Sequence, residues 1–156
     1  MPVLKSKHTQ LFIAVAAAEV IKVTRVRSVG FPDGQASEID ISDFDDEWDQ
    51  FVAGRKATGS TTIEVIYDPE DHEALEELHR TGEVVDFLVT APLSETAGVP
   101  LPVAVDGVIT APTTVVSKQF KGFVQNFAVN VADNDVWKAT MTIRGSGAVT
   151  TNRPAP

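Results

Sequence analysis

The sequence contains no cysteine, which excludes disulfides and thiolate metal sites and leaves the chain free to live in a reducing cytoplasm. Positive charge is also short. Thirteen Lys and Arg against 22 Asp and Glu give a net charge of −9, which argues against a protein that grips nucleic-acid phosphates, though not against a surface that nucleic acid slides past. No apolar run is long enough to span a bilayer. The nearest, Leu11–Val20, follows Lys5 and Lys7 and resembles a short signal-peptide core. His8, Thr9 and Gln10 interrupt that basic region, however, and apolar character continues past Glu19 into Ile21 and Val23 without a linker. It reads as a buried strand, and the chain as cytosolic at synthesis.

What is present suits one domain. The 156 residues are 43% apolar and 22% charged, enough for a core and too apolar for disorder. The most informative stretch is Gly122–Gly147. It reads as two antiparallel strands around an acidic turn, ending on Gly-Ser-Gly. Trp137, Ala139, Met141 and Ile143 point one way, and Lys138, Thr140, Thr142 and Arg144 the other, which is a half-buried strand with one wet face.

Further strands are expected along the chain. Leu11–Ala17 is apolar on both faces. Ile21–Val29 alternates and reads as one strand, Glu38–Ser42 as a short one, and Thr61–Tyr67 as the clearest, with Ile63, Val65 and Tyr67 on one side. In Glu83–Ala91 the residues Val85, Phe87 and Val89 share a face. Asp106-Gly107 marks a hairpin. In Val115–Val131 the apolar positions change parity between Phe120 and Phe123, which predicts a bulge or bend at Lys121–Gly122. A helix is expected over about 69–81, with Asp68 as N-cap, Pro69 at N1, Leu75 and Leu78 inward, and Gly82 as the C-terminal stop. Residues 43–58 show neither period and read as a long loop. Pro92–Pro102 reads as a proline-rich loop. Residues 1–147 form the expected domain and 148–156 a flexible tail. The fold class is mostly β: a β-sandwich or flattened barrel with one flanking helix.

Nothing in this sequence spells out catalysis. Gly54–Thr61 has the glycine spacing of a phosphate loop, but Ser60 stands where lysine is needed and a strand follows instead of a helix. Asp43, Asp45, Asp46, Glu47 and Asp49 fail the calcium-loop pattern, because Trp48 and Gly54 occupy the positions that need glycine and glutamate. The readings left are a looser calcium site, a solvated acidic loop, or one half of an electrostatic contact with a second copy. His72 and His79 flank Glu76 on one helix face without a further metal ligand, and read as surface histidines. Carboxylates such as Glu64 and Asp86 form no acid–base pair that spacing can establish, and no nucleophile elbow exists. The expectation is no enzyme, no cofactor and no metal.

The order of elements does carry a resemblance. An Ile39-Asp40-Ile41-Ser42 strand leads into the acidic segment. Gly59, a strand, and the Asp68-Pro69-Glu70-Asp71-His72 helix start follow. Then come Gly82, a strand into Ala91-Pro92, Gly122-Phe123-Val124, the Asp133-Asn134-Asp135-Val136 turn and the Ser146-Gly147 end. From about Leu11 to Gly147 the chain resembles the major tail tube protein of long-tailed, siphovirus-type bacteriophages.

That resemblance implies a sandwich related to the tube subunits of contractile tails and type VI secretion. It implies six copies in a ring, sheets joined into an inner barrel, and rings stacked into a hollow tube in the virion tail that conducts the genome. The implied partners are further copies, a tape-measure protein, tail-tip and tail-terminator proteins, and DNA that passes without specific binding; no membrane is implied. The candidate inter-ring contact is the Asp43–Lys56 loop, with Phe44, Asp45, Asp46, Trp48, Asp49, Phe51, Arg55 and Lys56, expected to be mobile alone and ordered on stacking. Glu64 and Asp86 are lumen candidates in a bore expected to carry negative charge. The alternatives are a contractile-tail or secretion tube, or a β-sandwich binding module with a ligand groove.

Overall fold

Alternating side chains resolve into a seven-stranded, fully antiparallel sheet in the computed structural model, which describes residues 7–94 and 97–154. Strands β1 (Gln10–Ala14), β2 (Val20–Val23), β3 (Val26–Val29), β6 (Ser60–Ile66), β7 (Val85–Thr90), β10 (Ser117–Asn130) and β11 (Lys138–Asn152) lie in the order β2-β1-β7-β10-β11-β6-β3. Strands β4 (Gly34–Asp40) and β5 (Phe51–Thr58) form a separate two-stranded ribbon, and β8 (Ala104–Val105) pairs with β9 (Val108–Ile109). The one helix among the described residues, α1, is Glu73–Thr81.

One face of the sheet holds the main core. Leu11, Ile13, Ile63, Val65, Phe87, Phe120, Val124, Met141 and Ile143 pack there with Leu75 and Leu78 of α1. Among the described residues the opposite face is covered over β1, β7 and the start of β2, where Phe12, Leu88 and Val20 meet Val99, Ala104, Ile109 and Val115. Strands β1 and β7 are therefore apolar on both sides. The expected facing of Val85, Phe87 and Val89 holds, as does the Asp106-Gly107 turn, whose two residues have φ of 51° and 79°.

The two edge strands of this sheet are neighbours in sequence. Strand β2 ends at Val23 and β3 begins at Val26, so two residues, Thr24 and Arg25, link opposite margins. The sheet must curl until its margins meet there, which is the flattened barrel expected, although among the described residues no hydrogen-bonded ladder closes it. The expected single strand Ile21–Val29 is thus broken, and Arg25 takes the left-handed φ of 59° that turns the corner.

The start of the helical segment fastens this corner. The His72 ring is fully buried. Its Nδ1 accepts the Asp68 N–H at 3.0 Å, and its Nε2–H donates to the Thr24 carbonyl at 2.9 Å. The Thr24 hydroxyl donates to Asp71 at 3.1 Å, Arg25 lies 3.5 Å from the Asp68 carboxylate, and the Ile66 N–H donates to the Arg25 carbonyl. His72 is therefore a core residue, not the surface histidine expected; His79 is exposed. The N–H groups of Asp71 and Glu70 hold the Asp68 carboxyl below the usual aspartate range. Its contribution is complete above the ordinary value of about 3.9 and is lost as pH falls through the lower folded value. Asp68 caps this turn, so α1 starts later than expected, at Glu73. It does end on Gly82, whose φ of 69° places its N–H on the Leu78 carbonyl.

Strand β10 is one strand with two irregularities. The extra residues of β11 fall opposite Gln119–Lys121, beside the bend expected at Lys121–Gly122. The exchange of faces occurs at Gln125, between Val124 and Asn126. Gly122 is required where it is, since a Cβ there would stand 2.5 Å from the Arg144 carbonyl oxygen. Strand β11 continues through Gly147 to Asn152 and pairs with β10 as far as Ser117. Residues 148–152 are consequently ladder and not loose tail; 155–156 of that expected tail, and 95–96 of the expected Pro92–Pro102 loop, lie outside the described residues.

Replacing His72 with leucine leaves the Asp68 N–H and the Thr24 carbonyl without partners. We expect His72→Leu to lose about 1–3 kcal/mol per orphaned group, read as a lower urea midpoint, whereas His79→Leu stays within about 0.5 kcal/mol of wild type.

Candidate assembly surfaces

The 43–58 segment is not the long loop expected. Residues 51–58 are strand β5, paired with β4 from Asp40↔Phe51 to Gly34↔Thr58, with a register shift between Ala36 and Glu38. Only the tip, Ile41–Gln50, is irregular. Its carboxylates shape it: Asp46 accepts the Asp43 N–H, Asp43 accepts the Asp45 N–H, and Asp46 also accepts from the Gln50 amide. The Gln50 N–H donates to the Ser42 hydroxyl at 2.6 Å. The segment is thus a paired ribbon in the single chain. It is exposed along nearly its whole length on both sides, so no face of it repeats with period two, and the usual strand signal is missing.

The structure brings the named ribbon residues together. Phe44 is fully exposed at 110% and Trp48 at 79%, with Phe51 below them. Ile39, Ile41 and Val52 add a half-exposed apolar side. Asp45 and Asp49 flank the tip and Asp43 and Asp46 brace it. Arg55 and Lys56 are exposed on the stem and join no ion pair among the described residues.

The two lumen candidates separate. Glu64 stands on the uncovered face of the sheet beside Thr62 and Ile66, with Thr140, Thr142 and Arg144 on the adjacent β11. Alternation in β11 had placed those last three on a wet face, and the register now joins them to Glu64. Asp86 does not belong there. It is buried at 2% exposure and accepts the Ile109 N–H at 2.8 Å and the Gln119 side-chain amide. Gln119 also donates to the Ile109 carbonyl at 2.9 Å. Together the two side chains bond both backbone groups of Ile109 and hold the β8–β9 hairpin on the sheet. Strand alternation identified the side of β7 on which Asp86 lies, but not the hairpin that covers it.

Two further features lay outside the sequence reading. Strand β7 bonds to β10 only over Ser117–Gly122, so β10 from Phe123 to Asn130 has a ladder with β11 alone. That is an open sheet edge. Trp137 is the second: 55% exposed, it stacks on Tyr67 at 6.2 Å and 16° instead of entering the core with Ala139. A depression of about 740 Å³ is an open groove between β2 and the helical segment, rimmed by Glu70, Asp71, Glu73 and Glu77. Among the described residues, no three His, Cys, Asp or Glu side chains gather in a metal-binding group, and no helix is long and apolar enough to cross a membrane.

Asp86→Ala is expected to lose about 1–3 kcal/mol, because it strips the Ile109 N–H and the Gln119 amide of their acceptor in a buried site. Glu64→Ala should leave the denaturation midpoint of the isolated chain within about 0.5 kcal/mol of wild type. Equal losses at both positions would contradict this division of roles.

Comparison with known proteins bears on these surfaces. Residues 2–155 match the family model described as phage tail tube, TTP, lambda-like. No curated protein matches in sequence. Among solved structures, the chain superposes on the SPP1 tail tube with a TM-score of 0.69 at 8% identity, covering 99% of this chain and 81% of that one. It is similar to the tail of an empty gene transfer agent particle refined with C6 symmetry, with a TM-score of 0.63 at 13% identity over 95% and 98% of the two chains. It is also similar to a chain of the sheath–tube complex of the PVC extracellular contractile injection system in its extended state, with a TM-score of 0.69 at 15% identity over 97% and 92%. These likenesses establish the fold. The whole-chain match establishes more: this chain belongs to the lambda-like phage tail tube family, and is a structural protein of the virion tail, not an enzyme.

Proposed function

We propose that six copies of this tail tube protein close edge to edge into a ring, and that rings stack into a hollow tube through which the genome leaves the virion. The observation that carries this reading is the pair of open margins on one four-stranded section of the sheet. Strands β10, β11, β6 and β3 adjoin in that order. The section ends on one side at the unpaired run Phe123–Asn130 and on the other at β3, which bonds to β6 alone. Open edges favour pairing with another chain, and a rotationally closed ring removes all of them at once. The six-fold symmetry of the gene transfer agent tail, which shares the fold, supports the number six.

The uncovered face of the same section turns toward the bore in this reading. It offers Thr62, Glu64, Lys138, Thr140, Thr142 and Arg144. Hydroxyl groups with Glu64 and Arg144, and Lys138 held by Asp135 at 3.0 Å, form a wall of mixed charge that presents no cluster of free cations to phosphates. This reading differs from the acidic bore expected from net charge. The negative charge sits instead on the helical segment, at Glu70, Asp71, Glu73, Glu76 and Glu77, and on the ribbon tip. Stacking uses the ribbon, with Phe44, Trp48 and Phe51 as apolar anchors and Asp45, Asp46, Asp49, Arg55 and Lys56 as the charged surround. A tape-measure protein in the lumen during assembly, and tip and terminator proteins at the two ends, complete the partners this role needs. Fold alone does not separate this tube from that of a contractile system, since both likenesses reach the same TM-score; the lambda-like family match favours the long non-contractile tail.

Electron microscopy of the concentrated purified protein tests the reading. We expect six-fold rings or tubes from wild type, and loss of tube growth on reversing charge at Arg55 and Lys56 together. Discrete monomers at all concentrations would contradict the ring, and normal tubes from the charge-reversed variant would remove the ribbon stem from the stacking contact.

A further inference from the structure

One margin of the sheet has no neighbour in the proposed ring. Strand β2 stands at the end of the order β2-β1-β7-β10-β11-β6-β3 and bonds to β1 alone. Its outer side opens on the groove between β2 and the helical segment. Val20, Ile21, Ala74 and Leu101 give that groove an apolar lining, and Thr24 also borders it. An open strand edge beside apolar surface invites a stray chain, and native folds cover such margins.

The groove is charged as well, and the signs are unequal. Glu70, Asp71, Glu73 and Glu77 stand on its helical side against Lys22 on the strand. Arg80 donates to both carboxylate oxygens of Glu77 and neutralises it. Arg25, next to Thr24, pairs with Asp68 at 3.5 Å. Glu70, Asp71, Glu73 and Lys22 join no ion pair among the described residues, so three carboxylates stand against one amine. Asp71 accepts from the Thr24 hydroxyl at 3.1 Å, which places an acidic end at Thr24. Ala74 and Glu77 follow at about one and two helical turns.

The chain ahead of β1 arrives at that same end. Leu11 lies opposite Val23 in the β1–β2 ladder, so the residues before β1 leave the sheet beside Thr24. They do not run on straight: residues 7 and 8 form a turn, with His8 in the left-handed region at φ 64°. Residues 1–6 stand ahead of this turn and lie outside the described residues. Their composition complements the groove in order. Lys5 and Lys7 are nearest the turn, Val3 and Leu4 come beyond, and no Asp or Glu precedes Glu19. Six extended residues reach roughly 20 Å. The four residues of β2 need about 13 Å.

We propose that residues 1–6 fold back over β2 and lie in this groove of their own chain, with Val3 and Leu4 against Ile21, Ala74 and Leu101, and Lys5 against Glu70 and Asp71. The segment then runs parallel to β2 and shields its outer margin from other chains. The tether favours the same chain over a neighbour, because a segment attached a few residues from its site is present at an effective concentration in the millimolar range. The inference concerns the single chain and does not depend on ring closure.

The absence of cysteine leaves introduced thiols as the only ones present. Double variants join Val3→Cys or Leu4→Cys to Ala74→Cys or Leu101→Cys; neither Ala74 nor Leu101 is buried. The dilute full-length chain is oxidised and read by thiol labelling and electrophoresis without reductant. At least one pairing should close within the monomer, at a rate independent of protein concentration. A control pairing Leu4→Cys with Val52→Cys, on the ribbon at the far end of β6 from Arg25, should stay open. Adding Lys5→Glu to the closing pair should slow closure about two- to fivefold at low salt, the range of exposed ion pairs, and adding Glu70→Lys as well should recover part of that loss. Bridges formed only between molecules, with a yield that rises with concentration, would give the groove to a neighbour's segment and overturn the proposal. So would no bridge in any of the four pairings, or closure just as fast with Lys5→Glu, which is how an undocked tether behaves. Each of these results leaves the ring reading untouched, because that reading is scored on wild-type assemblies.

Discussion

Two residues join the opposite margins of a seven-stranded sheet, and the rest of the molecule is arranged around that constraint. A chain that must pass from β2 to β3 through Thr24 and Arg25 cannot leave the sheet flat. Curling it wraps the apolar face inward and leaves one open side, which α1 fills with Leu75 and Leu78. The corner itself is polar backbone pressed toward a core, so its carbonyls need partners. His72 supplies one for Thr24, and Ile66 supplies one for Arg25. A histidine suits the place because one ring accepts on one nitrogen and donates from the other, bridging two backbone groups that belong to different elements.

Curling also decides what is left over. One face is sealed by the helix and half of the other by the β8–β9 hairpin, held through Asp86 and Gln119. The remainder is a bare, hydroxyl-rich strip and a length of β10 without a second neighbour. In a monomer those are liabilities; in a ring they become the wall and the seam. The ribbon and Trp137 are leftovers of the same kind, apolar groups that the core of one chain has no room for. Their separation to opposite ends of β6 and β11 follows from antiparallel register alone.

Much of this was legible because half-buried strands advertise themselves. Alternation in 138–144 gave both faces of β11, and doubly apolar runs gave β1 and β7. Most of the misses have a common physical origin: they depended on a contact far away in sequence. The break at Thr24–Arg25 is stabilised by residues 66–72. The burial of His72 and Asp86 depends on elements that reach them from 48 and 23 residues away. Strand β5 was invisible for the opposite reason. It packs against too little to need an apolar face, and an exposed ribbon has no pattern to read. The candidate site was half legible on the same grounds: the aromatic and charged tip stood out by composition, while the open edge of β10 is a property of pairing that no single strand records.

Amide hydrogen exchange on the single chain and on assembled tubes tests the central claim directly, that the unpaired run of β10 is kept open for a neighbouring copy. The account predicts that alternate amides in Phe123–Asn130 exchange fast in the single chain and become protected on assembly, while β1 and β7 are protected in both. Strong protection of all those amides in the single chain, or continued fast exchange in tubes, would contradict it.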